Sequence, residues 1–149
     1  MLNIYIDADA CPVKDEVYRV AERHKLIVKV VSNTWMRVPR DARIELVVVD
    51  DGFDAADNWI VANAGAGDIV VSNDIPLAAR CIDGGVQVIK PTGHRFTGEN
   101  IGDALASRNL LDQLRGAGAI AGGPPPFSKK DRSRFLQALE QVIQEVKRS

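Results

Sequence analysis

The chain alternates between short apolar runs and segments with helical periodicity. Each apolar run has the length and the β-branched content of a buried strand. Strands that alternate with helices predict βαβ units and therefore an α/β fold, with a mainly parallel sheet of about five strands flanked by helices. The predicted strands cover residues 2–6, 27–31, 44–49, 69–72 and 86–89.

Five helices are predicted between and after these strands. An apolar stripe recurs at helical spacing after Pro12, whose missing N–H is harmless in a first helical turn. Asp54 is the predicted N-cap of the second helix, and Ser128 with Asp131 predicts a capping box for the last one. The predicted helices cover residues 13–24, 55–64, 76–83, 99–114 and 128–148.

A Gly- and Pro-rich segment, residues 116–126, precedes the last helix. It suits neither a helix nor a strand, and it resembles a linker in composition. One amphipathic helix cannot form a core alone, so the helix at residues 128–148 is expected to pack back on the rest of the chain. We therefore predict one domain over residues 1–149.

Composition and charge are those of an ordinary globular protein. Hydrophobic residues make up 46% and charged residues 26% of the chain, and the formal net charge is −1. No apolar run approaches the length of a membrane span. The two cysteines match no zinc-binding spacing, and the N-terminus lacks the basic region of a signal peptide. These features predict a cytoplasmic protein without a membrane segment.

Carboxylates follow three of the predicted strands. Right-handed crossovers place the carboxyl ends of parallel strands at one edge of the sheet, where ligands of open α/β folds usually bind. Like charges at close range disfavour ionisation unless a cation neutralises them, and Mg²⁺ or Mn²⁺ prefers such oxygen ligands. Local roles as caps and turns remain an alternative for several of these acids. The seven residues are Asp7, Asp9, Asp50, Asp51, Asp54, Asp57 and Asp74.

Polar and basic residues near the same edge are candidates for binding a phosphate-containing substrate. Asn73 ends the fourth strand, and His94 and Arg95 lie in the loop after the fifth. Arg37 belongs to a loop that also carries Trp35, an aromatic residue able to stack on an unpaired base. These residues favour a contact with single-stranded RNA, whereas the net charge of the whole chain does not indicate nucleic-acid binding.

Four motifs resemble those of the YaiI/YqxD family of bacterial proteins, and the resemblance covers essentially the whole chain. That family is similar to PIN and NYN nuclease-like domains. The resemblance implies a three-layer PIN-like fold and an acidic, Mg²⁺- or Mn²⁺-dependent site that cuts RNA. It implies catalytic roles for Asp7, Asp57 and Asp74, with Asp9 and Asp54 as supporting metal ligands. The motifs are Asp7-Ala-Asp-Ala-Cys-Pro-Val13, Asp51-Gly-Phe-Asp-Ala-Ala-Asp57, Asp74-Ile-Pro-Leu-Ala78 and the segment from Pro126 to Arg132.

Three functions remain open at this stage. The first is a metal-dependent ribonuclease acting on single-stranded RNA. The second is a phosphatase of the haloacid-dehalogenase type, with Asp7 as nucleophile, Asp9 as acid/base, and Asp68 and Asp74 in place of its later metal motif. The third is a PIN-like module that binds RNA or protein without catalysis. The nuclease-like domains carry a further acid on a helix between the first and third acids, and this chain has no clear match for it; Asp9, Asp51 and Asp54 are the candidates to replace it.

Overall fold

The helices and strands follow the predicted alternation, with one additional strand. The computed structural model describes residues 2–9, 11–50, 52, 54–116 and 126–148. The α/β class predicted from the sequence is confirmed. In chain order the elements are β1 (Asn3–Asp7), α1 (Lys14–His24), β2 (Ile27–Ser32), β3 (Ile44–Val48), α2 (Ala55–Asn63), β4 (Ile69–Val71), α3 (Ile75–Asp83), β5 (Gln87–Ile89), β6 (Arg95–Phe96), α4 (Ile101–Gly116) and α5 (Lys129–Arg148).

The sheet has six strands in the order β3-β2-β1-β4-β5-β6. All neighbouring strands are parallel except β5 and β6, which form an antiparallel pair. The sequence did not predict β6, because a strand of two residues is too short to show any periodicity. It forms because the backbone turns back after β5, where the Lys90 N–H donates to the His94 carbonyl at 2.8 Å.

The two faces of the sheet bury two separate sets of helices, because successive residues of a strand point to opposite sides. Ile4 and Ile6 of β1 lie in the cluster that contains the apolar stripes of α1 and α5. Tyr5, between them, lies in the cluster that contains buried residues of α2 and α3. Helices thus cover both faces, which is consistent with the three-layer PIN-like fold.

Helix α5 is anchored by its apolar stripe and by a capping box. Four of its side chains are fully buried, namely Phe135, Leu139, Val142 and Ile143. At its start, the Asp131 carboxylate accepts from the Ser128 N–H at 2.9 Å, and the Ser128 hydroxyl accepts from the Asp131 N–H at 3.2 Å. The predicted capping box is therefore confirmed.

No helix in the described part of the chain combines the length and hydrophobicity of a membrane span.

Helix α4 differs from its prediction. The sequence pattern predicts Leu110 and Leu111 on its inward face, but their side chains are 56% and 41% exposed. Ile101, Leu105 and Leu114, which the same pattern predicts on the inward face, are partly buried, and Ile101 and Ala104 pack against the core. The prediction was wrong for Leu110 and Leu111 because an apolar stripe on a helix does not by itself specify a packing partner. The central part of the predicted Gly/Pro-rich segment, residues 117–125, lies outside the described residues.

Gly93 occupies a position where any side chain would strain the backbone. Its φ angle is +93°, and a Cβ there would lie 2.7 Å from the backbone carbon of Arg134 in α5. Gly93→Ala is expected to destabilise the fold by about 2–4 kcal/mol, because it combines backbone strain with a clash against backbone. Gly98→Ala is the control, since nothing lies within 4 Å of a Cβ there. Urea denaturation measures both, and equal stabilities would contradict this account.

Candidate functional site

The candidate site lies where the strand order of the sheet reverses. From the central pair β1 and β4, the chain builds outward through β2 and β3 on one side and through β5 on the other. Ligands of such sheets bind beyond the carboxyl ends of the strands at this switch point. Asp7 ends β1, and the segment from Ser72 to Asp74 follows β4. The Ser72 hydroxyl joins them, because it donates to Asp7 Oδ2 at 2.9 Å and accepts from the Asp74 N–H at 2.9 Å.

An acidic cavity of about 330 Å³ opens at this point. It brings together all five acids that the sequence predicted as metal ligands: Asp7, Asp9, Asp54, Asp57 and Asp74. The described residues that line it include no lysine, arginine or histidine. The fold therefore concentrates negative charge here without a protein cation to balance it. Asp50 is exposed and does not line this cavity, and Asp51 lies outside the described residues.

The structure differs from the prediction that Asp54 caps the second helix. It stands at the N-cap position of α2, but its side chain makes no capping hydrogen bond. Its backbone has φ 65° in the left-handed region, which is uncommon for a residue other than glycine. Strain of this kind concentrates at functional sites, so it motivates a role for Asp54 beyond helix capping.

Asp74, unlike Asp54, caps its helix with its side chain. Its Oδ1 accepts from the Leu77 N–H at 2.9 Å, so it is the N-cap of α3. This hydrogen bond gives Asp74 a local structural role. The cap also fixes the position of Asp74 in the cavity wall, because the side chain is tied to the first turn of the helix.

The acids of the cavity perturb one another's ionisation. Burial raises the pKa of Asp57 to about 7, with further contributions from Asp74, Asp7 and Asp54. Burial also raises the pKa of Asp7; Asp74 and Asp9 add to this effect, whereas the Ser72 hydroxyl opposes it. Perturbed pKa values that arise from burial and specific charge partners inside a cavity are typical of functional sites.

Asp57→Asn is expected to stabilise the metal-free protein above neutral pH. The folded state keeps the Asp57 proton up to a pKa of about 7, above the ordinary aspartate value of 3.8, so wild type loses stability as pH rises between these values. The variant does not titrate there. Because the carboxyl group is partly exposed, solvent screening reduces the expected gain to about 1–2 kcal/mol.

Thermal melts in chelator at pH 4, pH 6 and pH 8 measure this difference between Asp57→Asn and wild type. It should grow in favour of the variant up to about pH 7 and then level off. Asp83→Asn, an exposed change at the far end of α3, is the control and should show no such trend. A pH-independent difference for Asp57→Asn would contradict the raised pKa of Asp57.

A second cavity, of about 590 Å³, adjoins the acidic one and shares Asp74 with it. Two predicted substrate-binding residues, Asn73 and His94, line this second cavity. Lys90 and Arg108 line it as well. The sequence could not reveal Arg108, because only the packing of α4 against α3 brings that residue to the sheet edge. Lys90 and Ser72 are polar residues directly after buried strands, and this position in the sequence is itself a signal of a site residue.

Two other predicted substrate-binding residues lie elsewhere. Arg95 donates to Glu145 at 2.8 Å and to Gln87 at 3.2 Å, and it is not among the residues that line the second cavity. Arg37 lies beside Trp35 in a further cavity of about 540 Å³. The structure thus places Asn73 and His94 next to the acids, and Arg95 in an ion pair with α5.

The position of Asp68 counts against the phosphatase hypothesis, which places Asp68 in one metal site with Asp7 and Asp74. It precedes β4, so it lies at the amino edge of the parallel sheet, opposite to the acidic cavity. Its two carboxylate oxygens accept from the backbone N–H groups of Asn3 at 3.0 Å and Gly65 at 2.9 Å. Asp68 therefore holds backbone together and cannot share a metal site with Asp7 and Asp74.

Cys11 follows the first acidic motif and is buried. Burial is the main cause that raises the pKa of its thiol. A nucleophilic cysteine needs the opposite shift, because the thiolate is the reactive form. We therefore treat Cys11 as a packing residue, in agreement with its membership of the core cluster beneath α1.

The fold and the acidic cavity define a class: an α/β protein with a carboxylate-lined site at the switch point of a mainly parallel sheet. A family model described as "Uncharacterized BCR, YaiI/YqxD family" matches residues 5–145. The chain therefore belongs to the YaiI/YqxD family, as its motifs predicted.

Relatives of similar length support this assignment. A UPF0178 protein of Azorhizobium caulinodans is 56% identical over 148 residues, which cover 99% of this chain and 93% of the relative. A UPF0178 protein of Rhodospirillum rubrum is 55% identical over 148 residues, covering 99% of both chains. One from Rhodopseudomonas palustris is 53% identical over 147 residues, covering 99% of this chain and 95% of the relative. No solved structure was found to match the chain.

Proposed function

We propose that this protein is a metal-dependent phosphodiesterase that cleaves single-stranded RNA at the acidic cavity. The observation that carries the proposal is the convergence of Asp7, Asp57 and Asp74 on one cavity at the switch point of the sheet. Asp9 and Asp54 line the same cavity and would act in support. The resemblance of the YaiI/YqxD family to PIN and NYN nuclease-like domains supports the same interpretation.

The donor chemistry of the cavity fits Mg²⁺ or Mn²⁺. All five acids offer carboxylate oxygens, the ligands that hard divalent cations prefer. Among the described residues, no group of three or more acidic, histidine or cysteine side chains is already arranged to hold one ion. Burial first, and then the charges of Asp74, Asp7 and Asp54, raise the pKa of Asp57, and a bound cation would relieve the repulsion among these acids.

The chain's own residues would share the remaining work. Asp7, Asp57 and Asp74 would hold the cation, and the Ser72 hydroxyl would keep Asp7 oriented. The chemistry that such a cation supplies is activation of water and stabilisation of the charge that develops on the phosphate. Asn73 and His94, in the adjoining cavity, lie where they would contact the phosphate groups of a bound strand.

Two measurements test the proposal on the wild-type chain. Labelled single-stranded RNA should be cut in the presence of Mn²⁺ or Mg²⁺ and left intact with excess chelator. Calorimetric titration should show Mn²⁺ binding with an affinity better than about millimolar. Absence of both signals would overturn the proposal.

The described residues contain no ready-formed group of three metal ligands, and this favours a second candidate, a module that binds RNA or protein without catalysis. It predicts no Mn²⁺ binding and no cleavage, with RNA binding retained in chelator if RNA is the ligand. Beryllofluoride trapping addresses the phosphatase alternative. A phosphatase would form a stable aspartyl adduct at Asp7, whereas a nuclease site forms none.

A further inference from the structure

The acidic cavity adjoins further cavities on both sides, which share lining residues with it or with each other. On one side it shares Asp74 with the 590 Å³ cavity beneath α4. On the other side it shares Asp7, Asp9 and Asn33 with a cavity of about 310 Å³, which reaches Met36. Met36 also lines the 540 Å³ cavity beside Trp35. Four cavities are thus linked by shared residues, and we call them together the edge groove.

The charges along the edge groove alternate from basic to acidic to basic. Arg37 and Arg40 line the end beside Trp35, and both are exposed. Lys90 and Arg108 line the opposite end, together with His94. The acids lie between these ends. A linear polyanion fits the two ends of this pattern, because its phosphates on both sides of the centre meet cations, whereas the central phosphate would need a cation held by the acids.

Trp35 adds a preference for unpaired bases. Its side chain is 76% exposed, so the ring is accessible to a ligand. Aromatic side chains beside a cationic groove are the usual stacking platforms for single-stranded nucleic acid. Bases within a duplex are stacked on each other and cannot use such a platform.

We propose that the edge groove binds one single strand of RNA across the acidic cavity, with a base stacked on Trp35 at one end and backbone phosphates held by Lys90 and Arg108 at the other. This inference rests on the proposed function for the class of its ligand. It goes further in assigning binding roles to Trp35, Lys90 and Arg108 and in requiring substrate on both sides of the acids.

Fluorescence anisotropy in excess chelator tests the groove without cleavage. The probe is a fluorescein-labelled oligouridylate of about 12 nucleotides. Trp35→Ala is expected to weaken binding about 5- to 100-fold, because one stacked base is lost. Lys90→Ala and Arg108→Ala are each expected to weaken it several-fold and to lower the dependence of log affinity on log salt by about 0.7.

Arg19→Ala is the matched control, because Arg19 is an exposed cation of α1 and belongs to none of the four cavities of the groove. It should bind the probe within twofold of wild type. A Trp59→Phe background leaves Trp35 as the single tryptophan, so quenching of its fluorescence by the probe reports stacking directly. Circular dichroism of every variant checks that the fold is kept.

The outcomes separate this inference from the proposed function. Weakened binding in the Trp35, Lys90 and Arg108 variants supports the groove even if wild type cuts no RNA, in which case only the proposed function fails. RNA cleavage by wild type with all three variants binding within twofold of Arg19→Ala would overturn the groove and leave the proposed function intact. Equal binding of a duplex of the same length would also overturn it.

Discussion

The Asp7→Asn variant is expected to cut single-stranded RNA at least about 100-fold more slowly than wild type while keeping its fold. Asp7 lies at the switch point and lines the acidic cavity, where the proposed function makes it a metal ligand. Replacing a residue that only orients a metal ligand lowers metal affinity or activity about 10- to 100-fold, so loss of a ligand itself is expected to have at least the upper effect. Asparagine keeps an oxygen that can accept from the Ser72 hydroxyl, so the link between β1 and β4 is retained.

Asp83→Asn is the matched control for this measurement. It makes the same chemical change at an exposed position at the far end of α3 from Asp74. Cleavage is followed with labelled RNA in Mn²⁺ after identical purification of all three proteins, and melting temperatures confirm that each is folded. Equal trace activity in wild type and Asp7→Asn would identify the activity as a contaminant and remove the ribonuclease proposal.

Phe135→Ala is expected to lower the free energy of unfolding by about 3–5 kcal/mol, the largest stability effect we expect from one substitution. Phe135 is fully buried and is the largest such side chain of the core. It lies in the cluster that joins α5 to α1 and to the sheet. Truncation loses the transfer free energy of the ring and leaves a cavity that the surrounding helices fill only partly.

Urea denaturation measures this effect, with Ser133→Ala as the control on the exposed face of the same helix. The control should change stability by less than about 0.5 kcal/mol. Phe135→Leu should cost less than alanine, because it keeps most of the apolar volume. A loss below about 1 kcal/mol for Phe135→Ala would mean that α5 contributes little to the cooperative fold.

The docking of α5 also bears on the site. Arg132, in the first turn of α5, donates to the Pro12 carbonyl at 2.8 Å and to Glu16 at 2.7 Å. The Glu16 side chain is 91% buried, so this ion pair neutralises a carboxylate that would otherwise be costly. The motif from Pro126 to Arg132 thus fastens the last helix to the turn that follows Asp7 and Asp9.

Much of the fold was predictable because local patterns and tertiary packing agree. The alternation of apolar runs with amphipathic segments specified the α/β class, and the capping box of Ser128 and Asp131 specified the start of α5. The exposed Leu110 and Leu111 show where such patterns stop being sufficient, because a hydrophobic stripe does not name the surface that covers it. The two-residue β6 left no periodic signal at all.

For the acidic site, the sequence by itself determined which acids follow the strands, and parallel crossovers determined that they share one edge. The first motif marked Asp7 and Asp9, and both line the cavity. Only the tertiary structure decided that Asp74 caps a helix while Asp54 does not, and that Ser72 joins Asp7 to the segment after β4. The edge groove, too, is visible only in the tertiary structure, because its cations come from segments that meet only when the sheet is assembled.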